Sequence, residues 1–133
     1  MARPYTPLLL AAGDAAALLA FVLIGVMTHH ETLVGTGLVR TAVPILAAWF
    51  LAAALFGTYV RPGWRTVLPT WAVGVAGGVA LRRVLYGRPT DLSDFFTFLG
   101  VALAFTLAFV TAWRLVAHRL LGVSKRIDRR SVG

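Results

Sequence analysis

Residues 8–27, LLLAAGDAAALLAFVLIGVM, decide what kind of molecule this is. At about 1.5 Å per residue such a run makes roughly 30 Å of helix, the thickness of a bilayer's hydrocarbon core. A single carboxylate, Asp14, interrupts it. An acid at the bilayer centre costs about 2.5–3.5 kcal/mol on insertion scales, and less near an edge, so Asp14 is expected to face other helices or a wet cavity. The rest of the chain must provide that surrounding.

Composition agrees with a membrane chain. Of 133 residues 59% are hydrophobic and 14% charged, with a mean hydropathy of +0.80; soluble domains run at roughly 45–50% and about 25%. A soluble fold of this length could not hide so much apolar surface. The net charge is +8, but the basic residues lie between and after apolar runs, not interleaved with aromatics. They read as membrane-flanking charge and not as a nucleic-acid surface. The absence of cysteine excludes disulfides, thiol chemistry, iron–sulfur clusters and cysteine–zinc sites.

Working outward, Pro7 is a suitable first-turn residue for the first span. Arg3 followed by an apolar run has the polarity of a secretory leader, but Asp14 and the lack of an A-x-A site favour a retained span. Residues 28–40 form a connection broken by Gly35 and Gly37. Its His29, His30 and Glu31 do not complete a metal set, since adjacent histidines point to different helix faces. His118, an odd number of spans away, does not complete a haem pair, and no cofactor is expected.

Residues 41–60 carry no charge and form the second span, with Pro44 in its first turn and Trp49, Phe50, Phe56 and Tyr59 as aromatic bulk. Arg61-Pro-Gly-Trp-Arg65 is so short a turn that the third span, residues 66–86, must run antiparallel beside the second. In that span Gly74 and Gly78 form a G-x-x-x-G pair suited to close packing. Arg82 and Arg83 shorten its apolar length; they either snorkel to headgroups or enter a polar pocket. Asp91 and Asp94 lead into the fourth span, residues 95–116, where Gly100, Ala104, Ala108 and Ala112 make a small-residue stripe expected to meet other helices. Phe98, Phe105 and Phe109 are expected to face lipid or a second subunit.

The fold expected is therefore all-α, a polytopic membrane protein built as an antiparallel bundle of four transmembrane helices. Residues 1–119 form that domain, and 120–133 a basic tail, helical at first and then disordered, that adheres to anionic lipid headgroups. With four spans both termini share a side holding nine basic residues against four on the other, which places both termini in the cytoplasm of a cell-membrane protein.

Asp14 early in the first span, Gly25 to His29 at its end, Pro44-x4-Trp49, Gly78-x3-Arg82 and Trp113-Arg114 together resemble domain-of-unknown-function family 3054, small four-span prokaryotic membrane proteins. The resemblance covers about Leu8 to Arg119 and implies the architecture; it carries no biochemical assignment.

No P-loop, dinucleotide fingerprint, H-E-x-x-H, G-x-S-x-G or nucleophile–base pair occurs, so an enzyme is not expected. Two polar groups remain. One joins Asp14 and Arg114: counted from the membrane edges at about 1.5 Å per residue, Asp14 lies about 9 Å deep and Arg114 about 3 Å, within an arginine's reach. Arg65 is the rival partner, and a protonated, merely hydrogen-bonded Asp14 is the alternative. The other group holds Arg82, Arg83 and Arg88 with Asp91, Asp94 and Glu31, either headgroup-level ion pairing or a site for an anionic solute or lipid phosphate. Two functions fit: a small transporter or channel-like homo-oligomer with Asp14 as an ion or proton site, or a non-catalytic accessory subunit of a membrane complex.

Overall fold

Three connections separate the apolar runs, and the described residues form four helices. The computed structural model describes residues 6–28, 36–86 and 92–131, and every regular element among them is helical: α1 (Thr6–Thr28), α2 (Thr36–Phe56), α3 (Trp64–Tyr86) and α4 (Leu92–Ser131). By length and composition, three stretches among the described residues can cross a membrane: Pro7–Met27, Gly37–Phe56 and Leu92–Gly122. The charges of Arg65, Arg82 and Arg83, with the polar Thr66 and Thr70, dilute the apolar content of α3.

The bounds of two helices, α2 and α4, differ most from the sequence reading. α2 begins at Thr36 and ends at Phe56, so Pro44 sits well inside it and leaves the Arg40 carbonyl without its usual donor. α4 continues unbroken to Ser131; at about 1.5 Å per residue its 40 residues extend roughly 60 Å, about twice a hydrocarbon core. The segment expected to be a partly disordered tail is thus helical through Ser131.

Gly57 ends α2 in the left-handed region, with φ 68°. Only a residue without Cβ adopts this cheaply, and the Thr58 N–H then reaches back to the Ala53 carbonyl at 3.0 Å. The chain reverses, and the buried Thr58 hydroxyl meets that of Thr70 at 2.5 Å while Thr70 donates to the Thr66 carbonyl at 2.8 Å. α3 consequently returns antiparallel along α2, the most extensive contact in the molecule. Its closeness comes from Gly74 and Gly78. A Cβ on Gly78 would stand 2.7 Å from Ile45 Cα, and one on Gly74 3.0 Å from Trp49 Cα.

α4 packs on α3 and on α1, and α1 on α2, so each helix touches two others. Trp71 of α3 donates its indole N–H to the Leu103 carbonyl at 3.0 Å and to Thr106 Oγ1 at 3.1 Å on α4. On α1 the buried row is Leu10, Asp14, Leu18, Val22 and Val26; on α4 it is Ala102, Thr106 and Val110. Four-residue spacing keeps each row on one helix face. Outside, Leu8, Leu55 and Val84 are 71%, 73% and 82% exposed, which is affordable only against lipid or another apolar surface.

The expected packing stripe on α4 is corrected. Gly100, Ala104, Ala108 and Ala112 are all exposed, and nothing lies within 4 Å of where a Gly100 Cβ would stand. The row two residues further on, Ala102, Thr106 and Val110, is buried instead because Thr106 satisfies its hydroxyl on the Ala102 carbonyl at 2.6 Å and accepts from Trp71. Phe98 and Phe109 are half-buried and Phe105 faces outward.

Gly78→Ala should therefore lower stability by about 1–3 kcal/mol, because the added methyl meets backbone. Gly100→Ala, in open space, should be neutral or stabilising by up to about 1 kcal/mol. Thermal unfolding in mild detergent, followed by circular dichroism, checks the pair; equal effects would contradict this packing.

Candidate functional site

Asp14 falls on the buried row of α1 and has no exposed surface. Arg114 continues the buried row of α4 four residues beyond Val110, which aims its side chain back into the same gap. The two meet side-on. Arg114 Nε donates to Asp14 Oδ1 at 3.2 Å and Nη2 donates to Oδ2 at 2.6 Å. The Arg114 side chain is 9% exposed.

The rest of the cage comes from the turn after α2. Because Gly57 folds the chain back, the Tyr59 hydroxyl donates to Asp14 Oδ2 at 2.8 Å, and Trp49 Nε1 donates to the Tyr59 oxygen at 3.1 Å. The Arg114 guanidinium also lies 5.8 Å from the centre of the Tyr59 ring. One carboxylate thus joins α1 to α4 and to the turn after α2 through charge-assisted hydrogen bonds, the strong class. Beside it the Trp113 indole lies over Gly13, where a Cβ would overlap the ring. Its Nε1 is buried without a hydrogen-bond partner among the described residues, which costs about 1–3 kcal/mol. Close approach of α1 and α4 accompanies that cost.

Sequence reasoning reached Asp14 and Arg114 but missed Tyr59 and Trp49. The available signal was depth, since Tyr59 closes the second span at the same membrane edge as Asp14. Arg65, the rival partner, is exposed.

At the opposite end of the helices the second polar group is differently arranged. Arg82 Nε donates to Thr41 Oγ1 on α2 at 3.0 Å, and its guanidinium lies over the Phe98 ring of α4 at 5.3 Å. Arg83 lies over Phe95 at 4.9 Å and Arg40 over Tyr86 at 5.4 Å. Cation–π contacts thus accompany all three of these arginines, with Arg82 and Arg83 partly buried and Arg40 exposed. Arg82 and Asp94 both line a cavity of about 310 Å³ that touches all four helices. Arg88, Asp91, Glu31, His29 and His30 lie outside the described residues. Among the described residues no cluster of three His, Cys, Asp or Glu could hold a metal ion.

The profile of a family described as "Protein of unknown function (DUF3054)" matches residues 11–117. No curated protein and no solved structure matches the chain.

If the buried contact has the weight its geometry implies, Arg114→Ala should cost about 3–5 kcal/mol, because it strands a desolvated carboxylate. In an Asp14→Asn background the same change should cost much less. A double-mutant cycle on detergent-solubilised protein measures this directly, and zero coupling would contradict a working pair.

Proposed function

The chain belongs to the DUF3054 family of proteins of unknown function, so its role must be argued from its own residues, and we propose that it is a non-catalytic accessory subunit of a cell-membrane complex. Four spans, with α3 as the fourth, and cytoplasmic termini complete this reading. The supporting geometry for α3 is its antiparallel course along α2, and its 23 residues reach about 35 Å. The nine basic residues that this topology collects with the termini, against four on the other face, favour the cytoplasm for that side.

The observation that carries the reading is the occupancy of Asp14. Its two oxygens accept from Arg114 and Tyr59, and it has no exposed surface. A transported cation would have to displace an arginine held in two-point contact. Asp14 acts instead as a clasp between helices, and the basic end of α4, with Arg119, Arg129 and Arg130 exposed, meets anionic headgroups or the acidic surface of a partner.

Three measurements test this. Reporters fused after Gly133 should be active only as cytoplasmic reporters, and those in the 32–36 connection only as external ones. Reconstituted vesicles should show no proton or cation flux above protein-free vesicles, for wild type and Asp14→Asn alike, while Asp14→Asn lowers the melting temperature. Flux in wild type that a folded Asp14→Asn variant loses would overturn the reading in favour of a transporter.

A further inference from the structure

At the Asp14 end α1 and α4 close on each other, with the Trp113 ring against Gly13. Towards the Arg82 end they leave the cavity of about 310 Å³ between them, with α2 and α3 forming its back wall. That is about twice the roughly 150 Å³ cavity that holds a benzene molecule. Phe21, Val22, Val26 and Phe98 make its lining mostly apolar. The Gly25 position opens onto unfilled space, with no atom within 4 Å of a would-be Cβ.

The polar groups on this cavity are few and oriented. Arg82 uses one donor, Nε, on Thr41 Oγ1, and its guanidinium carbon lies over the Phe98 ring at 5.3 Å. Its two terminal nitrogens have no protein partner among the described residues. A fork anchored at Nε and lying over a ring, with its outer donors unused, matches the oxygens of a phosphate or carboxylate. Asp94 lines the same cavity and forms no ion pair with Arg82. A plain anion bound at Arg82 would be repelled by Asp94. A ligand that also carries an ammonium group turns that repulsion into a second contact.

We propose that this cavity binds the headgroup of a zwitterionic, ammonium-bearing phospholipid, its phosphate on Arg82 and its ammonium on Asp94. The acyl chains leave between α1 and α4 over Val101 and Phe105, which are 47% and 52% exposed. The proposal rests on the membrane-spanning reading, which sets this end at headgroup depth, and is independent of the role given to Asp14.

The test is native mass spectrometry of the full chain released from nanodiscs of equal parts phosphatidylethanolamine and phosphatidylglycerol. Wild type should retain one phosphatidylethanolamine in preference to phosphatidylglycerol. Arg82→Gln should reduce that retention about tenfold, the scale of one charged hydrogen bond. Gly25→Leu, which fills open space and suits a helix, should reduce it similarly while keeping the wild-type melting temperature. Asp94→Asn should bring phosphatidylglycerol up to parity. Glycerophosphoethanolamine, the same headgroup without acyl chains, should not displace the lipid at equal concentration. Retention unchanged in Arg82→Gln and Gly25→Leu would overturn the site; Asp94→Asn without effect on the preference would overturn the zwitterion; displacement by the soluble headgroup would overturn the lipid as its source. Asp14→Asn should leave retention unchanged, so failure here and failure of the clasp are separate results.

Discussion

A carboxylate inside an apolar helix must be neutralised or surrounded, and the arrangement of the helices around Asp14 follows from that constraint. The cost of an isolated buried charge exceeds what one hydrogen bond returns. Asp14 accordingly receives three donors from two directions, Arg114 on α4 and Tyr59 after α2, with Trp49 behind Tyr59. Meeting all of them requires α1 to lie between α2 and α4 and requires the turn at Gly57 to fold inward. Such a pair is weak evidence for net stability, since an apolar replacement of the same shape can do as well. Its stronger effect is on register, because sliding α1 by one turn would strand both charges.

Away from that point the molecule is held by shape. Lipid tails are as apolar as leucine, so helices gain little from merely covering apolar surface in a membrane; backbone approach and satisfied polar groups must do more. Gly74 and Gly78 let α3 lie against the α2 backbone at Trp49 and Ile45. Trp71 spends its N–H on α4, and the Thr58–Thr70 contact closes the turn between α2 and α3. The two hydrogen bonds leave α3 from adjacent residues, Thr70 towards the turn after α2 and Trp71 towards α4.

The two ends of the structure have opposite characters. Around Asp14 the polar atoms are matched with one another, apart from Trp113 Nε1, and the helices touch. Around Arg82 the charges rest on aromatic rings and the helices part to leave a cavity. Matched polar groups suit a clasp; a supported arginine with unused donors suits recognition. The proposed clasp accordingly sits at one end of the helices and the proposed ligand at the other.

The helical character of the described residues, the apolar runs and the need to shelter Asp14 were legible in the chain because each depends on local composition and length. The antiparallel pairing of α2 and α3 was legible too, since a five-residue connection from Arg61 to Arg65 allows little else. Depth counting brought Arg114 within reach of Asp14, and two-point geometry between them came only with the rotation of α4. That rotation was not legible. Gly100, Ala104, Ala108 and Ala112 offered the more regular small stripe, yet the buried face is that of Ala102, Thr106 and Val110. The Gly100 face and the Ala102 face of this stretch are both apolar or small, so the choice fell to partners on other helices: Trp71 seeking an acceptor and Asp14 seeking a cation. Tyr59 and Trp49 were hidden for the same reason, being ordinary span aromatics until the left-handed turn at Gly57 carried the Tyr59 hydroxyl to the carboxylate. Local sequence determined which segments are helices and which residue they must shelter; the faces they present were decided by contacts between residues far apart in the chain.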